Sequence, residues 1–213
     1  LDDIEIVQPD TSIVPDSGPT VASRTAMIVG NLLADAARQL KNPGVNKASA
    51  QYAPPQGIAF DEATLTGDAY ATFSWAVNIA ELDIDHSTGQ VHLKDFVAVQ
   101  EAGRIINPTL AAGQIEGGVA QGIGFALMEE VTYEEGRVWN QRMANYTIPT
   151  AADLPPIRVF FLNSDSSQAK GLGELPMNAP APAIANALSI QLSTNFNHLP
   201  FTPEKILKCD RSS

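Results

Sequence analysis

The sequence predicts an α+β fold in which helices pack on antiparallel or mixed sheets. Three observations carry this expectation: apolar residues at helical spacing between Arg24 and about Leu40, alternating apolar patterns on both sides of His86-Ser87-Thr88-Gly89, and further helical segments in the C-terminal half. In the first helix Val29, Leu33, Ala36 and Leu40 share a face, and Asn42-Pro43 ends the run. A loop rich in Pro, Ser, Thr and Asp precedes it over residues 8–23. Residues 43–69, with three prolines, three glycines and no sustained period, read as a connection, and they suggest two lobes at 9–65 and 66–208.

In the next segment Phe73, Trp75, Val77 and Ile79 alternate, but beyond Ala80 the apolar positions move to Leu82 and Ile84, a shift that predicts a bulge. Val91, Leu93, Val97 and Val99 resume the alternation, so the pair reads as an antiparallel hairpin with one buried face. A helix over 108–130 must tolerate Gly113, Gly117, Gly118, Gly122 and Gly124, each costing about 1 kcal/mol relative to Ala. Such glycines predict close approach of either another helix or a ligand. A strand at Ile157 to Leu162 and a helix from about Pro182 to Ser193 complete the elements.

Composition narrows the function. The chain has 213 residues, 44% hydrophobic and 17% charged, enough for a substantial core. No run reaches the ~18 apolar residues of a membrane span, and no basic-then-apolar leader opens the chain, so a soluble, cytoplasmic protein is expected. The first residue is Leu, and the chain reads as a piece of a longer polypeptide. Thirteen Lys and Arg against 24 Asp and Glu give a net charge of -11 with no basic stripe, which argues against nucleic acid as a partner. The single cysteine, Cys209, excludes an internal disulfide and a thiolate-held iron-sulfur cluster within the chain. His86, His92 and His198 lack metal-ligand spacing, and no metal held by protein side chains is assigned.

Three segments combine small residues with isolated polar groups. In Gly18-Pro-Thr-Val-Ala-Ser-Arg24, amides and the Ser23 hydroxyl at a helix start suit an anion, with Arg24 as a bidentate donor; an ordinary helix capped by Ser23 fits the same residues. In Gly117-Gly-Val-Ala-Gln-Gly-Ile-Gly124, Gln121 alone offers a side-chain donor and acceptor, on what is otherwise a helix-packing face. In Lys170-Gly-Leu-Gly-Glu-Leu-Pro176, Gly171 and Gly173 permit an unusual turn beside Glu174; a solvated loop carboxylate is the alternative.

These segments occur in a fixed order with Asp10-Thr-Ser, Ile106-Asn-Pro, Gly113-Gln-Ile-Glu, Tyr146-Thr-Ile-Pro-Thr, Ala181-Pro-Ala-Ile-Ala-Asn-Ala and Leu199-Pro-Phe-Thr-Pro-Glu-Lys. From about Pro9 to Lys208 that order resembles the C-terminal part of the molybdenum-binding large subunit of the xanthine dehydrogenase/aldehyde oxidase family. The resemblance implies a molybdenum-pterin cofactor, as molybdopterin or its cytosine dinucleotide form, with the metal held by the pterin dithiolene. It implies that Glu174 is the catalytic base, taking a proton from the water-derived hydroxyl beside the metal, and that partial desolvation raises its pKa. It further implies that Ala22, Ser23, Arg24, Thr25, Gln121 and Gly173 contact the cofactor, Arg24 being a position at which family members vary. Iron-sulfur clusters and FAD would sit on partner domains or subunits, together with the remaining half of the molybdenum subunit, so this piece alone would not catalyse. The implied reaction is hydroxylation of an electron-poor carbon of a purine, N-heterocycle or aldehyde, with a xanthine dehydrogenase-like activity favoured. A non-catalytic scaffold subunit of such a complex is the alternative, and an independent nucleotide- or anion-binding module a further one.

Overall fold

The computed structural model describes every residue except 1–3, 17, 22, 54–56, 58 and 211–213. It divides into two compact units, Leu1–Tyr52 and Ala53–Ser213. In the first, Thr25–Val29 form a π-helical turn that runs into α1 (Gly30–Leu40). Neither contains a buried residue, and Leu33 and Leu40 of the predicted apolar face are exposed.

The second unit has helices on one face of a three-stranded sheet, the α+β arrangement expected. Two short ribbons, β1 (Phe60–Asp61) with β2 (Thr66–Gly67) and, later, β5 (Tyr133–Glu134) with β6 (Arg137–Val138), had no signal long enough to predict. The main sheet pairs β3 (Trp75–Asp85) antiparallel with β4 (Gln90–Glu101), and β4 parallel with β7 (Ile157–Phe161). The crossover from β4 to β7 carries α2 (Pro108–Leu127), as a parallel pair requires. Asn107 caps α2 by accepting from Leu110 N–H at 3.1 Å, and Pro108 occupies its first turn, which explains the Ile-Asn-Pro signature physically. The short α3 (Leu175–Asn178), α4 (Pro180–Leu192) and the unpredicted α5 (Pro203–Asp210) follow.

The hairpin differs from expectation in an instructive way. The register does shift between Glu81 and Leu82, but the extra residue is Lys94 on β4; β3 alternates without interruption. Leu82 and Ile84 are buried on the helix-covered face with Phe96 and Ala98, whereas Trp75, Val77 and Ile79 lie on the opposite face and are exposed. The apparent slip in β3 therefore marks a change in which face is apolar. Likewise Val91 and Leu93 pack on the core, while Val97 and Val99 share the outer face.

The core is built by Phe96 and Ala98 of β4, Ile115, Val119, Ile123 and Ala126 of α2, Ile184 and Leu188 of α4, and Ile206 of α5, all completely buried, with Ala181, Leu192 and Phe201 at its margin. The α2 glycines fall into two sets. A Cβ at Gly118 would lie 2.6 Å from Pro176 Cβ, and one at Gly122 would lie 2.6 Å from Pro180 Cγ, so these glycines admit α3 and α4. Gly113 and Gly117 face outward with nothing within 4 Å. Gly118→Ala and Gly122→Ala should each destabilise the fold by about 1–3 kcal/mol through overpacking. Gly117→Ala should stabilise it by up to about 1 kcal/mol through helix propensity. Opposite shifts of the urea midpoint would establish this partition; shifts of one sign would refute it.

Candidate functional site

The loop that carries Glu174 is held by its first residues. Lys170 Nζ donates to Glu101 Oε2 at 2.7 Å, a pair whose side chains are 18% and 15% exposed. Lys170 N–H donates to Ala102 O at 2.9 Å, Ser74 Oγ donates to Gly171 O at 2.8 Å, and Arg104 N–H donates to Gln168 O at 3.0 Å. The loop is thus stitched to the ends of β3 and β4. The left-handed backbone this needs falls on Gly103 (φ 65°), whose missing Cβ would lie 2.3 Å from Gln168 O, and not on Gly171 or Gly173 as expected. Glu101 also accepts from Gly103 N–H at 3.0 Å. Its carboxyl is held below the ordinary carboxylate range, first by the Lys170 hydrogen bond and then by the Ser164 hydroxyl, against the opposing effect of burial.

Past the clamp, Glu174 precedes the first turn of α3; its side chain makes no capping hydrogen bond and is exposed, as is Gly173. One turn further on, Met177 shares a cleft of about 330 Å³ with Ala120, Gln121, Phe125, Glu129, Ile148 and Pro149. The exposed amide of Gln121 and α3, which Glu174 precedes, are thus brought together by the Gly118–Pro176 contact.

The Tyr146-Thr-Ile-Pro-Thr segment forms another wall of that cleft. Tyr146 Oη donates to Glu129 Oε2 at 2.7 Å, which raises the phenol's pKa. A Cβ on Gly124 would lie 2.2 Å from Glu129 Oε1 and 2.6 Å from Pro149 Cδ, so this glycine makes room for the strap. Among the described residues no group of three or more His, Cys, Asp and Glu is placed to hold a metal ion.

Ser23, Arg24 and Thr25 belong to the first unit, and Ala22 lies outside the described residues. Ser23 has φ 60°, not the extended backbone of a capping residue, so the ordinary-cap reading does not hold. A left-handed non-glycine residue is a strained conformation that clusters at functional sites. The loop closes through Thr20 Oγ1 and Thr25 Oγ1, 3.1 Å apart, and through the Arg24 guanidinium packed on Gly18, where a Cβ would lie 3.6 Å from Arg24 Cζ.

Sequence reasoning missed Ser74 and Glu101 altogether and quoted Lys170 without giving it a role. An isolated Ser before a strand and a Glu at a strand end carry no periodic signal, and only the fold shows that both meet the Lys170 loop.

A family model described as a molybdopterin cofactor-binding domain matches residues 1–51 and 44–155. The chain belongs to that family, that of the molybdenum-cofactor-binding subunits of xanthine dehydrogenases and aldehyde oxidoreductases. It is 29% identical to the 6-hydroxypseudooxynicotine dehydrogenase complex subunit gamma of Paenarthrobacter nicotinovorans, over 96% of this chain and 32% of that protein. With the probable hypoxanthine oxidase XdhD of Escherichia coli it shares 33% identity over 85% of this chain and 21% of the relative. The aldehyde oxidoreductase of Desulfovibrio gigas superposes with a TM-score of 0.81 at 26% identity, covering 99% of this chain and 25% of that one. The chain thus spans between a fifth and a third of these relatives.

Lys170→Met or Glu101→Gln should cost about 1–3 kcal/mol, because each leaves a part-buried charged partner unmatched. Since the folded pKa of Glu101 is lowered from 4.5, its contribution is complete above that pH and is lost as pH falls through the lowered value. Urea titrations from pH 7 to pH 3 should therefore show a stability gap between native protein and Glu101→Gln that narrows below about pH 4.5; a gap that widens with acid would contradict the assignment.

Proposed function

We propose that this chain is the C-terminal part of the molybdenum-binding subunit of a hydroxylase that adds water-derived oxygen to an electron-poor carbon, with Glu174 as the base. The observation that carries this reading is the Lys170–Glu174 loop, clamped at one end and presenting an unengaged carboxylate at the other. A scaffold has no use for an exposed acid held on so fixed a loop.

The residues fit a molybdenum-pterin group. Gly113 and Gly117 leave a strip along α2 that side chains would fill, and Gln121 continues it with an amide able to donate and accept. Ser23, Arg24 and Thr25 would supply hydroxyl, guanidinium and amide donors to the cofactor's anionic oxygens, with Ala22 in the same loop and Gly173 allowing close approach next to Glu174. When bound, the group supplies the two-electron acceptor and the place where the oxygen nucleophile is activated. Glu174 would accept the proton that the oxygen nucleophile gives up, and the Lys170–Glu101 and Ser74–Gly171 contacts fix the loop that carries its carboxylate.

The relatives are named for aldehydes, hypoxanthine and 6-hydroxypseudooxynicotine. They support a substrate that is an aldehyde, a purine or another N-heterocycle, xanthine among them. Membership of a dehydrogenase complex in one relative supports partner subunits, which would carry the iron-sulfur clusters and FAD that take up the electrons. No helix of the described residues is long and apolar enough to cross a membrane, in keeping with a cytoplasmic complex.

Glu174→Gln in the molybdenum-loaded complex should lower kcat by about 100- to 10,000-fold with cofactor content unchanged. Gln121→Leu should instead reduce cofactor retention after gel filtration. Equal turnover in Glu174→Gln would refute its role as base and favour the scaffold reading.

A further inference from the structure

The main sheet has a second apolar face. On the side away from α2 and α4, Trp75, Val77 and Ile79 of β3 are 69%, 63% and 58% exposed, and Phe160 of β7 is 50% exposed. Val97 and Val99 lie between them on β4, in register with Ile79 and Val77 and, across the other edge, with Arg158 and Phe160. Tyr70 and Phe73, in edge-to-face contact, lead into the same strand and are 66% and 61% exposed. A sheet face that meets water alternates polar residues outward, and this one does so only beyond Ile79. From there Glu81, Asp83, Lys94, Asp95 and Arg158 take over, with Lys94 paired to Asp83 and Arg158 to Asp95. One strand thus carries an apolar half and a charged half on the same side, and the change falls within two residues.

Size identifies the occupant. Three strands about 4.8 Å apart, covered for about five residues of 3.3 Å rise, present on the order of 200–250 Å². A stable association of separate proteins buries about 800 Å² on each partner. The patch is therefore too small to hold a second copy by itself, but it suits one contact of a body already held elsewhere. Relatives that match nearly the whole of this chain contain two to three times as much again beyond the matched part. We propose that the apolar half of this face, Trp75, Val77, Ile79, Val97, Val99 and Phe160, is an internal interface onto which the rest of a molybdenum-binding subunit packs, ending where Glu81 and Arg158 meet solvent. This rests on the subunit assignment above but not on the role of Glu174.

Single cysteines at Val77, Ile79 and, as the solvent-facing control on the same strand, Asp83 would be introduced in a Cys209→Ser background, and maleimide labelling followed in the assembled complex and in this chain alone. In the complex Val77→Cys and Ile79→Cys should label at least about tenfold more slowly than Asp83→Cys, since reaction needs local opening; in the isolated chain the three should label alike. Equal labelling in the complex would overturn the proposal. So would protection in the isolated chain that grows with its concentration, which would give the face to a second copy. The labelling reads no turnover and needs no molybdenum, so its failure is distinct from failure of the catalytic reading.

Discussion

Gly118 and Gly122 of α2 let Pro176 and Pro180 pack directly on the helix backbone, in space that a Cβ would fill, and the geometry of the second unit follows from that approach. Two residues before Pro176 is Glu174, and one turn along α2 from Gly118 is Gln121. A side chain at either glycine would push α3 away and separate the acid from the amide. A helix with this many glycines would be a poor helix in isolation; the burial of Ile115, Val119 and Ile123 on the same element supplies the compensating stability.

The sheet plays the complementary part. Its helix-covered face anchors α2 and α4, its β3 and β4 ends hold the Lys170 loop through one ion pair and a few hydrogen bonds, and half of its other face is left apolar. The unit is held by its own core, and the readings proposed above would add a cofactor along the open α2 face and further protein on the apolar part of the outer sheet. Glu174 is exposed at the N-terminal end of α3.

Much of this was legible in the sequence because local chemistry determines it. Asn107-Pro108 starts α2 as capping preferences require, His86–Gly89 turns the hairpin, and Ile157–Phe161 emerges as a strand where the apolar run indicated. The face of each strand was harder. Periodicity reports that Trp75, Val77 and Ile79 share a side, but not that the side is the outer one, because an apolar face awaiting a partner looks like a core face. The α2 glycines were ambiguous for a similar reason: Gly118 and Gly122 serve helix packing and Gly113 and Gly117 do not, and only the position of Pro176 and Pro180 separates them. The Lys170–Glu101 pair joins residues far apart in the chain, and no spacing rule reaches that far.

The central claim is that the open α2 face and the Glu174 loop serve a molybdenum-pterin group at which substrate is oxidised. The most direct test is to purify the parent complex, quantify molybdenum and extracted pterin per copy of this chain, and follow reduction of the metal by an aldehyde, a purine and an N-heterocycle with no electron acceptor present. The account predicts stoichiometric molybdenum and pterin, with reduction by at least one of the three. A complex isolated in its native state without molybdenum, or a loaded metal that none of them reduces, would contradict it.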